Sequence, residues 1–455
     1  MFQKARKHVQ NHPQASVFSL ALLLRLAWLS GFLIFGNDKG AFTYDSKGYW
    51  QLAESLANDN QFGRFFDGVW YDEYFRTPLY PAFLSFFKII HAPLGILLSA
   101  QALLSALTCA IITRLANEMG FGKNTSVLAG LLAAIDLTSI LFSNYVLTET
   151  LFTFLLTSGF FLFYIAVKRV EALHYFWSGA LFGLSMLCRP AGSFLPILLL
   201  PFILFSKGTI QQKIKHVLVY SIACLLIISP WLTRNYMLSK RLFLSTSMQE
   251  LFLLCPTAHV YGSIHNVSMG KARLALWKEM YDKLGDRGIN DPLQRGKVEQ
   301  DINLRMLKQH PFAYLKDYAL GAAYFAFKPS GAYWNQQVKV TDHSTESYAD
   351  NELQIGRYGL FAKVMTALQL LQLIVLWTLV SYGLYRLWKS KQVLAFLFIS
   401  STMLYFTCMV PGSSAEGRFR IPAMAFIAVA AAVGVNAFSN KSSASKSEDE
   451  IDETR

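Results

Sequence analysis

The chain has 455 residues, 53% of them hydrophobic, 15% aromatic and only 16% charged, whereas a soluble domain carries about 25% charged residues. The apolar residues fall in long blocks, which argues against a large soluble core and for a chain that crosses a membrane many times. The net charge of +13 requires no nucleic acid, because Lys and Arg accumulate in cytoplasmic loops held against anionic lipid. Cys109, Cys188, Cys224, Cys255 and Cys408 are scattered, without CxxC spacing or a His/Cys cluster. No zinc site, disulfide framework, other metal or cofactor is expected from them.

Lys4, Arg6 and Lys7 precede a first apolar run at 16–36. No A-x-A-like site follows it, so an uncleaved helix is expected. The loop 37–93 is more than a connector. Tyr49, Leu52, Ala53 and Leu56 recur at helical spacing within 45–58, and 78–90, opened by Pro78, is apolar but too short to span. Both predict helices lying at the interface, with Tyr and Trp at headgroup level. Six more runs follow at 94–117, 126–144, 149–167, 175–188, 191–206 and 216–233. The pair around Arg189-Pro190 is short, but Lys168 and Arg169 before it and Lys207, Lys213 and Lys215 after it belong on one side. Two crossings must therefore separate them.

A long loop, 234–359, carries amphipathic stretches at 270–284 and 296–309 and an aromatic one at 311–327. Three last runs occupy 360–385, 392–410 and 420–438, within a final membrane block 360–438. The fold class expected is all-α integral membrane: about ten transmembrane helices, two interfacial helices in the first outer loop and a mainly helical large outer loop. The basic loops put residues 1–15 and both termini in the cytoplasm, and 37–93 and 234–359 outside a plasma or inner membrane. Residues 439–455, rich in Ser, Lys, Glu and Asp, predict a disordered tail.

Ionisable residues at helix ends carry the chemistry, because burying them is costly. On the outer side stand Asp45, Asp72, Glu73, Arg76, Glu149, Arg189, Arg234, Arg418 and Arg420. Acids and arginines from distant stretches thus share one surface, which suits binding an anionic lipid head group and activating a hydroxyl. Asp45 reads as a helix N-cap or as a general base, and one role does not exclude the other. Arg76 reads as an anchor to lipid phosphate or as a ligand of a substrate phosphate. Glu149 suits a helix N-terminus or a site acid. Arg189, between two short spans, is hard to explain as packing. Arg234 serves topology or phosphate binding alike, and Glu416, Arg418 and Arg420 crowd one short turn. His259 and His265 have no metal spacing.

Tyr44-Asp45-Ser46-Lys47-Gly48-Tyr49 with an LA-x-x-L helix, then Arg76-Thr77-Pro78-Leu79-Tyr80-Pro81, resembles the GT-C glycosyltransferases. The similarity is to the branch of protein O-mannosyltransferases and aminoarabinose transferases, family 39 and its bacterial relatives. Leu147-Thr148-Glu149, Cys188-Arg189-Pro190 and Pro230-Trp231-x-x-Arg234-Asn235 extend it over roughly 16–240. The resemblance implies an inverting transferase moving a sugar from a polyprenyl-phosphate donor to an acceptor lipid, protein or glycan on the outer face. It implies Asp45 as the base and Arg76, Arg189, Arg234 and Arg418 as ligands of the donor phosphate. Tyr49, Tyr80, Glu149 and Arg420 would then contact substrate. Ser46 departs from the second acid many relatives carry after the first, which counts against a metal pair there. No large soluble domain follows the last run, so acceptor recognition is expected from 234–359. A lipid-linked saccharide flippase and a polysaccharide polymerase or ligase are the rival classes. The first predicts paired repeats or mid-span charges, the second key basic groups in the long loop.

Overall fold

A chain in lipid must close its backbone hydrogen bonds within its own segments, and apart from one hairpin the described elements of this protein are helical. The computed structural model describes residues 12–66, 69–289, 291–338 and 358–452. Lys4, Arg6 and Lys7 lie outside them. The first half comprises α1 (Pro13–Phe35), α2 (Tyr44–Asp59), β1 (Gly63–Phe66), β2 (Val69–Asp72), α3 (Leu79–Ile89), α4 (Leu94–Glu118), α5 (Lys123–Ala134), α6 (Leu137–Phe142), α7 (Glu149–Arg169), α8 (Ala172–Cys188), α9 (Leu195–Leu204) and α10 (Ile210–Ser239). The long loop holds α11 (Ser247–Phe252), α12 (Ala258–His265), α13 (Met269–Ile289), α14 (Pro292–Gln309), α15 (Pro311–Phe327) and α16 (Gly331–Val338). Then come α17 (Leu360–Lys389), α18 (Val393–Cys408) and α19 (Met424–Asp452). Helical backbone therefore continues into the segment from 439 that composition marked as a disordered tail.

Among the described residues six helices are long and apolar enough to cross a membrane: α1, α4, α7, α10, α17 and Gly417–Phe438. Shorter apolar helices are α3, α8, Pro190–Leu204 and α18. The two helices expected in the first loop are present as α2 and α3. The antiparallel hairpin between them, with Gly63 opposite Asp72 and Phe65 opposite Trp70, was not foreseen. At Arg189 the chain turns as the loop charges required. Arg189 is extended (φ −153°, ψ 125°), as a residue before proline prefers, so α8 stops and α9 starts afresh.

The run 126–144 is not one span. It breaks between α5 and α6, and Asp136 in the break together with side chains from two other segments closes it. Asp136 caps α6, accepting from Ser139 N and Oγ, both at 2.7 Å. Gln372 of α17 donates to Ile135 O at 2.8 Å and accepts from Leu137 N at 3.1 Å. Arg25, fully buried within α1, donates to Ala134 O at 3.1 Å and Ser105 Oγ at 2.6 Å. Apolar periodicity could not reveal a break whose carbonyls are satisfied from elsewhere in the chain.

The long loop forms its own small core from Leu253, Ala258, Leu276, Met280, Ile302 and Met306 with Tyr314. Tyr314 Oη donates to Thr257 Oγ1 at 2.8 Å, which in turn donates to Asn303 Oδ1 at 2.7 Å. α15 then leaves that core and packs on the helices of the bundle, where Trp377 of α17 donates to Ala326 O at 2.8 Å.

Gly383 of α17 and Gly434 of α19 let the two helices touch, because a Cβ at either would overlap a carbonyl oxygen, of Ala430 or of Leu379. Small residues at such crossings replace the hydrophobic drive that lipid removes. Gly383→Val should destabilise the protein by about 2 kcal/mol or more and lower its melting temperature in detergent; an unchanged melt would refute the close approach. In the loop core Glu299 is 2% exposed. Burial, then Glu250, push its carboxyl up to about 7 against the pull of Arg295. The folded state therefore holds this proton more tightly, and that stabilisation, full below the unfolded value of 4.5, is lost as pH rises through about 7. Glu299→Gln should remove on the order of 1–3 kcal/mol of this pH dependence, read as a flatter melting temperature between pH 5 and 8. An identical slope in the variant would count against it.

Candidate active site

Four separate stretches bring charge to one end of the helix bundle. α2 begins with a capping box in which Thr43, not Asp45, is the N-cap: its hydroxyl accepts from Ser46 N at 3.4 Å while Ser46 Oγ accepts from Thr43 N at 2.9 Å. Ser46 is thereby explained as half of the cap, and Asp45 in the first turn is left free to face the site. Its Oδ2 accepts from Arg418 Nη2 at 3.0 Å, and the side chain remains 44% exposed. Burial raises the Asp45 carboxyl, but Arg418, Arg76 and Arg189 together outweigh it and hold it below its ordinary 3.8.

Glu149 is the first residue of α7 and 1% exposed. Its Oε1 lies 2.7 Å from Arg189 Nη1 and 3.6 Å from Arg418 Nη1. Arg189 also donates to Thr148 Oγ1 at 3.3 Å. The irregular backbone ahead of α7 is held by Gln101 of α4, whose Nε2 donates to Ser143 O at 3.1 Å and Tyr145 O at 2.8 Å. Arg418 also meets Glu416, Nε to Oε2 at 2.5 Å. Tyr333 of α16 donates to that same carboxylate oxygen at 2.5 Å.

Arg76 completes the group. Glu73 accepts from Phe75 N at 2.9 Å and Arg76 N at 3.1 Å and pairs with Arg64 at 2.8 Å, which fixes the turn. The Arg76 guanidinium then lies against Gly48, where any Cβ would overlap it, and 5.2 Å from the centre of the Tyr49 ring. Glycine is needed here for close approach, not for backbone freedom. Arg76 Nε is buried and makes no hydrogen bond. Burial above all, with Asp45 and Glu149 adding to it against Arg76 and Arg189, pushes the Tyr49 phenol up to about 12, so it stays a neutral hydroxyl.

The geometry thus gathers Asp45, Tyr49, Arg76, Glu149, Arg189 and Arg418. The other three expected site residues serve the scaffold. Tyr80 is fully buried; it donates to Gln101 Oε1 at 2.8 Å and stands edge-on to Tyr49 at 5.3 Å between ring centres. Arg234 donates to Glu73 O at 2.8 Å, Phe62 O at 2.9 Å and Asn235 Oδ1 at 2.9 Å, and lies over the Trp231 ring. It straps the first loop to α10. Arg420, 2% exposed, donates to Phe325 O at 2.8 Å, Lys328 O at 3.2 Å and Thr138 Oγ1 at 3.3 Å, closing the C-terminal end of α15. Spacing could not separate Arg418 from Arg420, because the turn that carries them is a 3-10 helix, Gly417–Ala423, which points the two side chains to different places. Glu416, Tyr333 and Gln101 belong to the site's framework but were not singled out as site residues. For Glu416 the crowded charges were a signal; for Tyr333 and Gln101 there was none. Among the described residues no three His, Cys, Asp or Glu side chains are grouped as metal ligands.

A family model described as dolichyl-phosphate-mannose-protein mannosyltransferase matches residues 76–233. No curated protein sequence matches the chain. The oligosaccharyltransferase AglB from Archaeoglobus fulgidus, solved with an inhibitory peptide and a dolichol-phosphate, superposes with a TM-score of 0.54 at 15% identity, over 97% of this chain and 52% of that one. The same enzyme tethered to an acceptor peptide gives 0.55 at 17% identity, over 95% and 50%. The chain therefore spans about half the length of these solved structures. ArnT from Cupriavidus metallidurans aligns over 90% of this chain and 76% of its own, with a TM-score of 0.38 at 12% identity, too weak a likeness to add to the argument. The likeness is one of fold: the chain is built like the oligosaccharyltransferase AglB, and the matched family is one of membrane mannosyltransferases.

The part Arg420 plays in the scaffold is testable. Arg420→Gln should take the guanidinium donors from Phe325 O and Lys328 O and destabilise the protein by about 1–3 kcal/mol, seen as a lower melting temperature. A variant as stable as the parent would return Arg420 to the list of substrate ligands.

Proposed function

We propose that this protein is an inverting glycosyltransferase that moves a sugar from a polyprenyl-phosphate donor to an acceptor hydroxyl at the outer face of a plasma or inner membrane. The observation that carries the proposal is the meeting of Asp45 with Arg76, Arg189 and Arg418. A glycosyl phosphodiester already holds its leaving group, so the protein needs a carboxylate to take a proton and fixed cations to receive charge. Asp45 accepts the acceptor's hydroxyl proton as that oxygen bonds to the anomeric carbon. The bond from that carbon to the phosphate oxygen breaks, and polyprenyl phosphate departs with one more negative charge, held by the guanidinium groups. A single displacement inverts the anomeric centre.

Supporting this reading are the name of the family matched over 76–233 and the dolichol-phosphate in the AglB structure. The outer placement rests on the basic loops at Arg114/Lys123, Lys168/Arg169, Lys207–Lys215 and Arg386–Lys391, all on the side opposite the site, with the termini cytoplasmic. Arg25, Asp136 and Arg420 are buried, as a carrier for lipid-linked saccharides would require of mid-span charges. Their hydrogen bonds go to the broken span and the end of α15, so they act as scaffold rather than pathway. The acceptor is a hydroxyl-bearing lipid, protein or glycan.

With purified protein in lipid and a polyprenyl-phosphate sugar as donor, Asp45→Asn should cut turnover by about 10²-fold or more without changing elution or melting temperature. Turnover within a few-fold of the parent would remove Asp45 as the base.

A further inference from the structure

Arg418 makes one hydrogen bond, to Asp45, and stands at ion-pair distance from two further carboxylates. Nη2 meets Asp45 at 3.0 Å, Nη1 faces Glu149 at 3.6 Å, and Nε lies 2.5 Å from Glu416. A guanidinium presents its five N–H bonds in one plane. A phosphate oxygen entering that plane meets edges already faced by carboxylates, and at Nη2 it competes directly with Asp45. Glu149 is 1% exposed and is also gripped by Arg189 at 2.7 Å. Glu416 has a side chain 14% exposed and receives the Tyr333 hydroxyl. Asp45 differs from both. Its side chain is 44% exposed, so water can solvate the carboxylate once Arg418 lets go. Arg76 offers the complementary feature: its buried Nε has no partner, and a second phosphate oxygen could meet it without displacing an acid.

We infer that the donor phosphate competes with Asp45 for Arg418, so that donor binding itself frees the base: Arg418 is an interlock that puts donor binding before acceptor activation. The inference rests on the donor reading proposed above. A carboxylate tied by a charge-assisted bond to guanidinium is a poor proton acceptor, because the bond must be lost when the proton arrives. Arg418, Arg76 and Arg189 depress the Asp45 carboxyl; phosphate charge set on the same groups opposes that depression and makes Asp45 a stronger base at the moment a sugar is in place. The interlock would keep the site from activating a hydroxyl, or water, before a donor is present.

The test uses undecaprenyl monophosphate as probe, titrated into the full-length protein in nanodiscs of zwitterionic lipid. If Asp45 and phosphate compete, Asp45→Asn should bind the probe about three- to tenfold more tightly than the parent, although it has lost turnover. On an Arg418→Gln background the same change should bring no gain. Glu54→Gln removes a charge from the far face of α2, where Glu54 pairs with Lys88 at 2.8 Å, and should leave affinity within about twofold. Unchanged or weaker binding by folded Asp45→Asn overturns the interlock and leaves the donor reading intact. An equal gain in Glu54→Gln overturns it too, since the effect would then be diffuse charge. Failure of the parent protein to bind the probe overturns the donor reading and the interlock together. Should Asp45→Asn elute aggregated, Asp45→Ala makes the same measurement.

Discussion

A charge taken out of water must be met by an opposite charge or it destabilises the fold, and in this protein Arg418 is where that demand is concentrated. Its guanidinium meets carboxylates at Asp45, Glu149 and Glu416, which come from the first loop, the start of a membrane helix and the last turn. Arg189 and Arg76 stand beside it, so three acids and three arginines share one cluster. Removing any member would leave a partner exposed to low dielectric. The same cluster that resembles catalytic machinery therefore also ties the first loop to the last.

The interior obeys the same rule with backbone in place of charge. The break between α5 and α6 exposes peptide groups inside the bundle, and Gln372, Arg25 and Asp136 close them. Arg420 does this for the end of α15. Polar groups that look functional by their rarity in a membrane are here divided into two sets. One saturates peptide groups and is spent; the other pairs charge with charge and keeps hydrogen-bonding capacity, as at Arg76 Nε.

The long loop does more than offer a surface to an acceptor. α15 packs against the turn before Arg418: Gly321 lies so close to Gly412 that a Cβ would overlap it. Asp317 accepts from Ser413 Oγ and N, and Lys328 donates to Ala415 O at 3.1 Å. Gly412 itself has a φ of +56°, a conformation that favours glycine. With Tyr333 on Glu416, these contacts fix where Arg418 points. The helical loop thus acts as a mould for the last turn, and the membrane core supplies the groups on the other side.

Local pattern was sufficient for the helical elements, the two helices of the first loop and the turn at Arg189-Pro190, because apolar run length, helical periodicity and proline geometry are properties of adjacent residues. It was also sufficient to bring Asp45, Arg76, Glu149, Arg189 and Arg418 forward, since ionisable residues beside apolar runs stand out by composition alone. It could not foresee the hairpin at 63–72, the broken span at Asp136, or the buried Arg25 that helps close it. Nor could it divide Arg418 from Arg420, or site arginines from the strap at Arg234. Those outcomes depend on which distant carbonyl or carboxylate each side chain reaches, and only the folded chain decides that, because a hydrogen bond depends on distance in space and takes no account of distance along the sequence.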